Sequence, residues 1–258
     1  VGVILVTVLI SGLAVYGAAS LETDFDLADF VDEDMEIMEV RDALTTGYES
    51  AGWKVVHLLM EPAEGQAVIP GDADLLTEMR NFHTDLKRNN DVVGTDLHGS
   101  PSYEGPYPLL RDALLRNQTL GEDHNLEIYA GEVYSIDRSE PIDLGAFYIT
   151  LVGNDNVADP LTGETWEERL AQTVHLEGTS ILHLRHEIRV EASTSVESSR
   201  VVDNFVDDLG SIDESGTLKY KLKDHATLHV TGDLVMLETV LTGLTTTQIE
   251  SCLLYTSD

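Results

Sequence analysis

The chain has 258 residues, enough for one large or two small domains with real cores. Its 47 Asp and Glu against 15 Lys and Arg give a formal net charge of -32 and a pI near 4.3. No basic patch is available to neutralise a phosphate backbone, which argues against nucleic-acid binding. The single cysteine, Cys252, excludes an internal disulfide and a cysteine-based zinc site.

The acids are dispersed from Glu22 to Asp233 rather than gathered in one tail, as expected of a whole surface adapted to its solvent. Self-repulsion on this scale opposes a compact state in dilute salt. At molar salt the Debye length falls to about 3 Å and most of that repulsion disappears. The composition therefore points to an extreme halophile; an acidic protein that binds cations or basic partners is the alternative.

From Val1 to Leu21 there is no charged residue. That length matches a hydrocarbon core of roughly 30 Å crossed at about 1.5 Å per residue. Gly2, Gly12, Gly17, Ala18 and Ala19 allow close helix packing in a bilayer, and Tyr16 suits its interface. Residues 1–21 are thus expected to form a transmembrane helix. A cleaved signal ending near Gly17-Ala18-Ala19-Ser20 competes with that reading, although no basic n-region is visible. A buried soluble helix is the third option. Since the first residue is Val1 and not Met, a native start further upstream is expected. Acids begin at Glu22 while no Lys or Arg occurs before Arg41, which places the following domain outside the membrane by the positive-inside rule.

Beyond the membrane run, residues 31–50 read as a helix capped by Asp32 or Asp34, with Met35, Met38, Val40 and Leu44 as a broken apolar stripe. Residues 52–61 form a short apolar run between turn residues, hence a strand. A Gly- and Pro-rich connection over 62–71 leads to a helix over 72–88, with Leu75, Leu76, Met79, Phe82 and Leu86 on one face. A strand over 91–97 completes a strand–helix–strand unit. Next come a helix over 107–118, strands over 126–136 and 146–152, a loop over 153–163 and a helix over 165–174. Residues 181–192 alternate apolar and polar, as a half-buried strand does. A helix over 195–209 and strands over 217–221 and 226–231 repeat the earlier order as an architectural echo. This is an α+β pattern. Residues 234–254 are apolar at helical spacing and lead toward a second membrane span. Residues 251–258 resemble translated adapter read-through and carry no functional weight. The expected division is a membrane helix over 1–21, an extracytoplasmic domain over 22–247, and over 248–258 the start of a second membrane helix with a non-native tail.

No chemical constellation stands out. Of nine histidines, His183 and His186 lie three apart in a strand and so face opposite ways. His225 and His229 are four apart, a spacing that converges on a helix, where a strand is expected. Asn154, Asp155, Asn156 and Asp159 could hold calcium but lack the EF-hand pattern, and Asp207, Asp208, Asp213 and Glu214 are equally vague. No G-x-S-x-G, Walker-type or H-E-x-x-H motif is present. Asn117-Gln118-Thr119 is a glycosylation sequon. No catalytic residue, cofactor or metal ligand is assigned, and no enzyme is expected.

The layout resembles the RND-superfamily exporters of the MMPL or hydrophobe-exporter type in their archaeal form. The stretch Thr23-Asp24-Phe25-Asp26-Leu27-Ala28-Asp29-Phe30 resembles the acidic, Phe-containing start of that family's porter domain. Gly71-Asp72-Ala73-Asp74-Leu75-Leu76 resembles the start of its first porter helix, and Val230-Thr231-Gly232-Asp233 the segment that re-enters the membrane. The two strand–helix–strand units fit its ferredoxin-like porter subdomains. The resemblance implies an exporter in the cell membrane, driven by an ion gradient, that moves hydrophobic or amphiphilic molecules outward. It implies as partners the lipid bilayer, the remaining transmembrane half of the same protein and a hydrophobic small-molecule or lipid substrate, with an oligomer possible. The coupling carboxylates lie in later membrane helices in that family, so none is named here. The alternative is a membrane-anchored or secreted haloarchaeal surface or binding protein; an extracellular hydrolase would need a constellation that the sequence lacks.

Circular dichroism of residues 22–247 tests the solvent argument. Folded structure is expected in molar KCl or NaCl and its loss in dilute buffer; equal folding in both would refute the halophilic reading.

Overall fold

The computed structural model describes residues 53–88, 93, 101–153, 158, 163–191, 200–203, 209–210, 212–232, 234–236, 239–240, 243 and 247. The expected membrane helix over 1–21, the helix over 31–50 and the tail over 251–258 lie outside these residues, as do most of 91–97, 195–209 and 234–254. Among the described residues no helix is long and apolar enough to cross a membrane.

The central strand β1 (Trp53–Pro62) alternates strictly, with Val56, Leu58 and Met60 buried on one face. Along one edge it pairs antiparallel with β6 (Ser180–Glu191), from Trp53 opposite Glu191 to Met60 opposite Leu184. Along the other edge it pairs antiparallel with β7 (Ala226–Thr231), from His57 opposite Thr231 to Pro62 opposite Ala226. Pro62, which has no N–H to donate, sits where the strand ends. The far edge of β6 is covered piecewise. It takes β5 (Val174–Glu177) near its start and β2 (Tyr103–Glu104) opposite Ile188 and Glu187. Val93 makes an isolated bridge to Val190 on the same strand. The strand order is β2-β6-β1-β7, with β5 also on β6, and every pairing is antiparallel. It follows that β6 and β7 run parallel to each other on either side of β1.

Helix α1 (Ala73–Arg88) contributes Leu75, Leu76, Met79, Phe82, His83 and Leu86 to the core, the stripe that a helix of period 3.6 buries. Asp72 starts it, accepting from the backbone N–H groups of Leu75 at 3.0 Å and Asp74 at 3.1 Å. Between β2 and β5 the chain makes a helical excursion: α2 (Pro106–Arg116), α3 (Gln118–Glu122), the hairpin β3 (Leu126–Tyr129) and β4 (Glu132–Ser135), then α4 (Leu144–Val152) and α5 (Trp166–Thr173). The start of α4 lies against the β5–β6 turn so closely that a Cβ on Gly145 would collide with the Thr179 carbonyl. A short helix, α6 (Leu218–Leu222), precedes β7.

Three elements differ from the sequence expectation. Residues 126–136 are not one strand but the β3–β4 hairpin, because Ala130 and Gly131 both take positive φ, at 52° and 84°. Residues 146–152 are helical. Their β-prone side chains are overridden by Asp143, which caps α4 by accepting from the Ala146 N–H at 2.9 Å, and by tertiary burial of Phe147 and Tyr148. Residues 217–221 are not a strand either, since the Thr217 hydroxyl accepts from the Tyr220 N–H and starts α6. The expected helix over 107–118 is present as α2 but stops at Arg116, where Asn117 caps α3. The helix over 165–174 starts with a capping box, Thr165 and Glu168 bonding each other's backbone. The mixed α+β composition with antiparallel sheets stands.

His186 occupies an inward position of β6 between Leu184 and Ile188. It is fully buried, and neither ring nitrogen finds a hydrogen-bond partner among the described residues. Its ring meets Phe82 edge-on at 5.2 Å and lies near-parallel to Tyr103 at 6.1 Å. A Cβ on Gly105 would sit 2.7 Å from its Nδ1, so glycine at that position makes room for the ring. Burial lowers its pKa from 6.5 to about 3. Below pH 6.5 the unfolded chain binds a proton that the folded chain refuses until about pH 3, so stability falls with falling pH across that window. The loss is on the order of a few kcal/mol. His186→Leu should flatten the slope between pH 6.5 and 5 in molar-salt denaturation curves while keeping stability at pH 7. An unchanged slope would refute this assignment.

Candidate binding cleft

The β3–β4 hairpin leans on α1 and is fixed there by two side chains. Arg80 on α1 donates from Nη1 to the Val133 carbonyl at 3.0 Å, and its guanidinium lies 4.3 Å from the centre of the Tyr134 ring. Tyr107 on α2, itself fully buried, accepts from the Val133 N–H at 3.1 Å and donates to Glu132 Oε2 at 2.7 Å. Burial, with Glu132 as its hydrogen-bond acceptor and neighbouring charge, raises the Tyr107 phenol well above its ordinary pKa, so it stays a donor. Behind it, the Tyr103 hydroxyl and His83 Nδ1 are 2.9 Å apart, and His83 Nε2 is 3.9 Å from Glu132 Oε1. Burial first, then the nearby Tyr107 and Glu132, raise the Tyr103 pKa in the same way.

The loop after β4 is set by Asn125, at φ 58°, a conformation that asparagine tolerates better than most residues. Its Nδ2 shares its two protons among Ser135 Oγ, the Asp137 carbonyl and the Glu140 carbonyl, and its Oδ1 accepts from the Asp137 N–H at 2.8 Å. Ser139 donates twice to Asp137, holding that carboxyl below its ordinary pKa. The loop so held carries Arg138.

Between α1, the hairpin and this loop lies a cleft of about 710 Å³. Leu76, Ala73 and Ile142 supply apolar wall, Tyr129 and Tyr134 aromatic surface, and Thr77 and Ser135 hydroxyls. The two tyrosine rings meet edge-on at 6.1 Å, and Tyr129 is 69% exposed, presenting its ring to an incoming group. Arg80 and Arg138 put two of the chain's 15 basic side chains in one cleft, with Asp74 and Glu127 also at its wall. Among the described residues its lining holds neither a cysteine nor a histidine. The arrangement suits binding of a molecule with both apolar and charged parts.

The residues singled out in the sequence fall elsewhere. His186 points into the core and His183 outward, as their spacing requires. His225 Nε2 is 3.5 Å from Asp72 Oδ1, and His229 Nε2 is 3.5 Å from Glu61 Oε2, so these two serve separate contacts. Asp213 and Glu214 are exposed, and among the described residues no group of three His, Cys, Asp or Glu is placed to hold a metal ion. Asn154 to Asn156, Asp159, Asp207 and Asp208 lie outside the described residues. Asn117 of the sequon is exposed but already accepts from the Leu120 N–H. The cleft went unseen in the sequence because its hairpin reads as one strand, and no local motif marks its lining. No protein-family model matches the chain, and no curated protein does.

Tyr107→Phe strips the buried Val133 N–H of its acceptor and should cost about 1–3 kcal/mol. Tyr129→Phe, on an exposed ring, should stay within about 0.5 kcal/mol of the native stability. Denaturant titration in molar KCl measures both, and equal effects would refute the anchoring role of Tyr107.

Proposed function

We propose that this chain is the extracytoplasmic porter-domain segment of an ion-gradient-driven membrane exporter of hydrophobic or amphiphilic substrates, an RND-superfamily protein of the MMPL type. The observation that carries the reading is the strand order. Taken as a core of β1, α1, the broken strand β2/β5, β6, the crossover over 192–225 and β7, the sheet has its fourth strand beside its first, then its third, then its second, all antiparallel. That is the order of a ferredoxin-like split β-α-β unit, the kind of subdomain from which porter domains of this family are built. The excursion between β2 and β5 is then an insertion into the second strand.

The cleft fits the same reading. An amphiphile would lay its apolar part on Leu76, Ile142 and the tyrosine rings and its polar part toward Arg138. The strongly acidic surface is consistent with a domain facing a saline exterior. A membrane-anchored or secreted surface protein remains the second reading, because the cleft has its walls within this segment and can bind without transporting.

Efflux of a lipophilic fluorescent probe from haloarchaeal cells carrying the full-length gene discriminates the two. An exporter should lower cell-associated probe, and a protonophore or ionophore should abolish the effect. Tyr129→Ala combined with Arg138→Glu should weaken export about tenfold, the value of roughly 1.4 kcal/mol of lost binding. Efflux indifferent to the gene would defeat the transport reading, and a gene ending soon after Leu254 without further apolar spans of about 20 residues would favour the surface protein.

A further inference from the structure

The point where the helical excursion rejoins the sheet carries a second arrangement, separate from the cleft. Helix α5 ends at Thr173, β5 begins at Val174, and the β5–β6 hairpin turns through Gly178, whose φ is 59°. In that hairpin His175 stands directly opposite His183, and the ladder shifts register immediately after His175. Such irregularities re-aim side chains. Here the result is two imidazoles whose Nδ1 atoms are 3.1 Å apart.

The rings are within 11° of parallel with centroids 5.4 Å apart. That separation, with the nitrogens much closer than the centroids, places the two Nδ1 atoms between the rings, edge to edge. Only one proton fits between them, so at least one Nδ1 offers a lone pair, and with both protons on Nε2 both do. Two nitrogens bound at about 2.0–2.1 Å to one tetrahedral or octahedral metal ion are themselves about 3 Å apart. The pair therefore already has the spacing of two adjacent ligands. Turning each ring by about 40° in opposite senses would aim both lone pairs at one point on the solvent side, at the metal–nitrogen distance of about 2.0–2.1 Å, and His175 is exposed enough to allow it.

We propose that His175 and His183 form a two-imidazole chelate for borderline divalent metal ions: Cu2+ foremost, then Ni2+ and Zn2+. Imidazole suits these ions and not Mg2+ or Ca2+, and Cu2+ stands highest in the affinity order. Since no third His, Cys, Asp or Glu is grouped with the pair among the described residues, water completes the coordination. The nearest cation along β6, Arg185, is neutralised by Glu187 at 2.7 Å. A bound ion would staple β5 to β6 and so hold the excursion closed on the sheet. It binds the folded hairpin and not the open chain, so it also raises the melting temperature.

The full chain in molar KCl, titrated with Cu2+ alone and then with Ni2+ alone, tests this. Electron paramagnetic resonance should show one tightly bound Cu2+ per chain with coupling to two nitrogens, and Ni2+ should raise the melting temperature. His175→Ala and His183→Gln should each lower Ni2+ affinity about tenfold or more and remove the two-nitrogen signature. His229→Ala, also a strand histidine, should leave both unchanged. Circular dichroism identifies any variant that fails to fold, and the remaining single variant then decides. Retention of native affinity and of the two-nitrogen signal in a folded His175 or His183 variant would overturn the proposal, as would a native chain that shows no saturable binding.

Discussion

The register between β1 and β6 is the constraint on which the rest of the structure depends. It puts Val56, Leu58 and Met60 on the same face as Leu184, His186, Ile188 and Val190, and that face is where α1 lays its apolar stripe. A slip of β6 by one residue against β1 would turn Leu184, His186, Ile188 and Val190 outward and bring Arg185, Glu187 and Arg189 into the core. Burial of several large apolar side chains at roughly 1.5–3 kcal/mol each makes that slip prohibitive. Once β6 is fixed, its far edge decides where β2 and β5 can pair, and therefore how the excursion between them must begin and end. The cleft and the paired histidines both lie downstream of that one register.

What the sequence made legible follows the same logic. β1, α1, α5, β6 and β7 carry clean periodicities of two or 3.6, because each buries one face against a single large partner. The misread segments are those whose local signal is weak or points the wrong way. Phe147, Tyr148 and Ile149 favour a strand by propensity, yet the Asp143 cap and the contact of Gly145 with Thr179 settle a helix there. Ala130 carries no turn signal of its own and adopts positive φ because Gly131 follows it in a tight hairpin. Contacts distant in sequence were out of reach altogether: Arg80 with Val133 and Tyr134, Asn125 with the loop that carries Arg138, and His175 with His183 once the register shift is in place. The apolar end segments and the acidic stretch over 154–159 fall mostly outside the residues that the structure describes.

Scarcity of positive charge gives the few cations an outsized structural part. Arg169 on α5 is the clearest case. It reaches Glu104 on β2 at 3.0 Å and Asp112 on α2 at 2.9 Å, with its side chain 13% exposed. Burial alone would lower its pKa, but the two carboxylates outweigh that and hold the guanidinium charged. Arg111 donates to the Gly131 carbonyl at 2.6 Å, Arg185 pairs with Glu187, and Lys221 ties α6 toward Glu78 on α1. Arg169, Arg111 and Lys221 each link separate elements, whereas the Arg185 pair lies within β6.

Salt should therefore act on this fold in two separable ways. Exposed carboxylates repel one another over distances that molar salt screens, so added salt relieves a cost spread over the whole surface. At the Arg169 junction the guanidinium is half-buried and in direct contact with two partly exposed carboxylates, so the same salt weakens it less than it relieves the surface. Relief of surface repulsion by salt and a junction little weakened by it are compatible only if the attractive pairs are short and partly buried while the repulsive ones are long and exposed. The geometry at Glu104, Arg169 and Asp112 meets that condition. It explains how a chain with about three acids for every base can still rely on ion pairs to seat its helical excursion on the sheet.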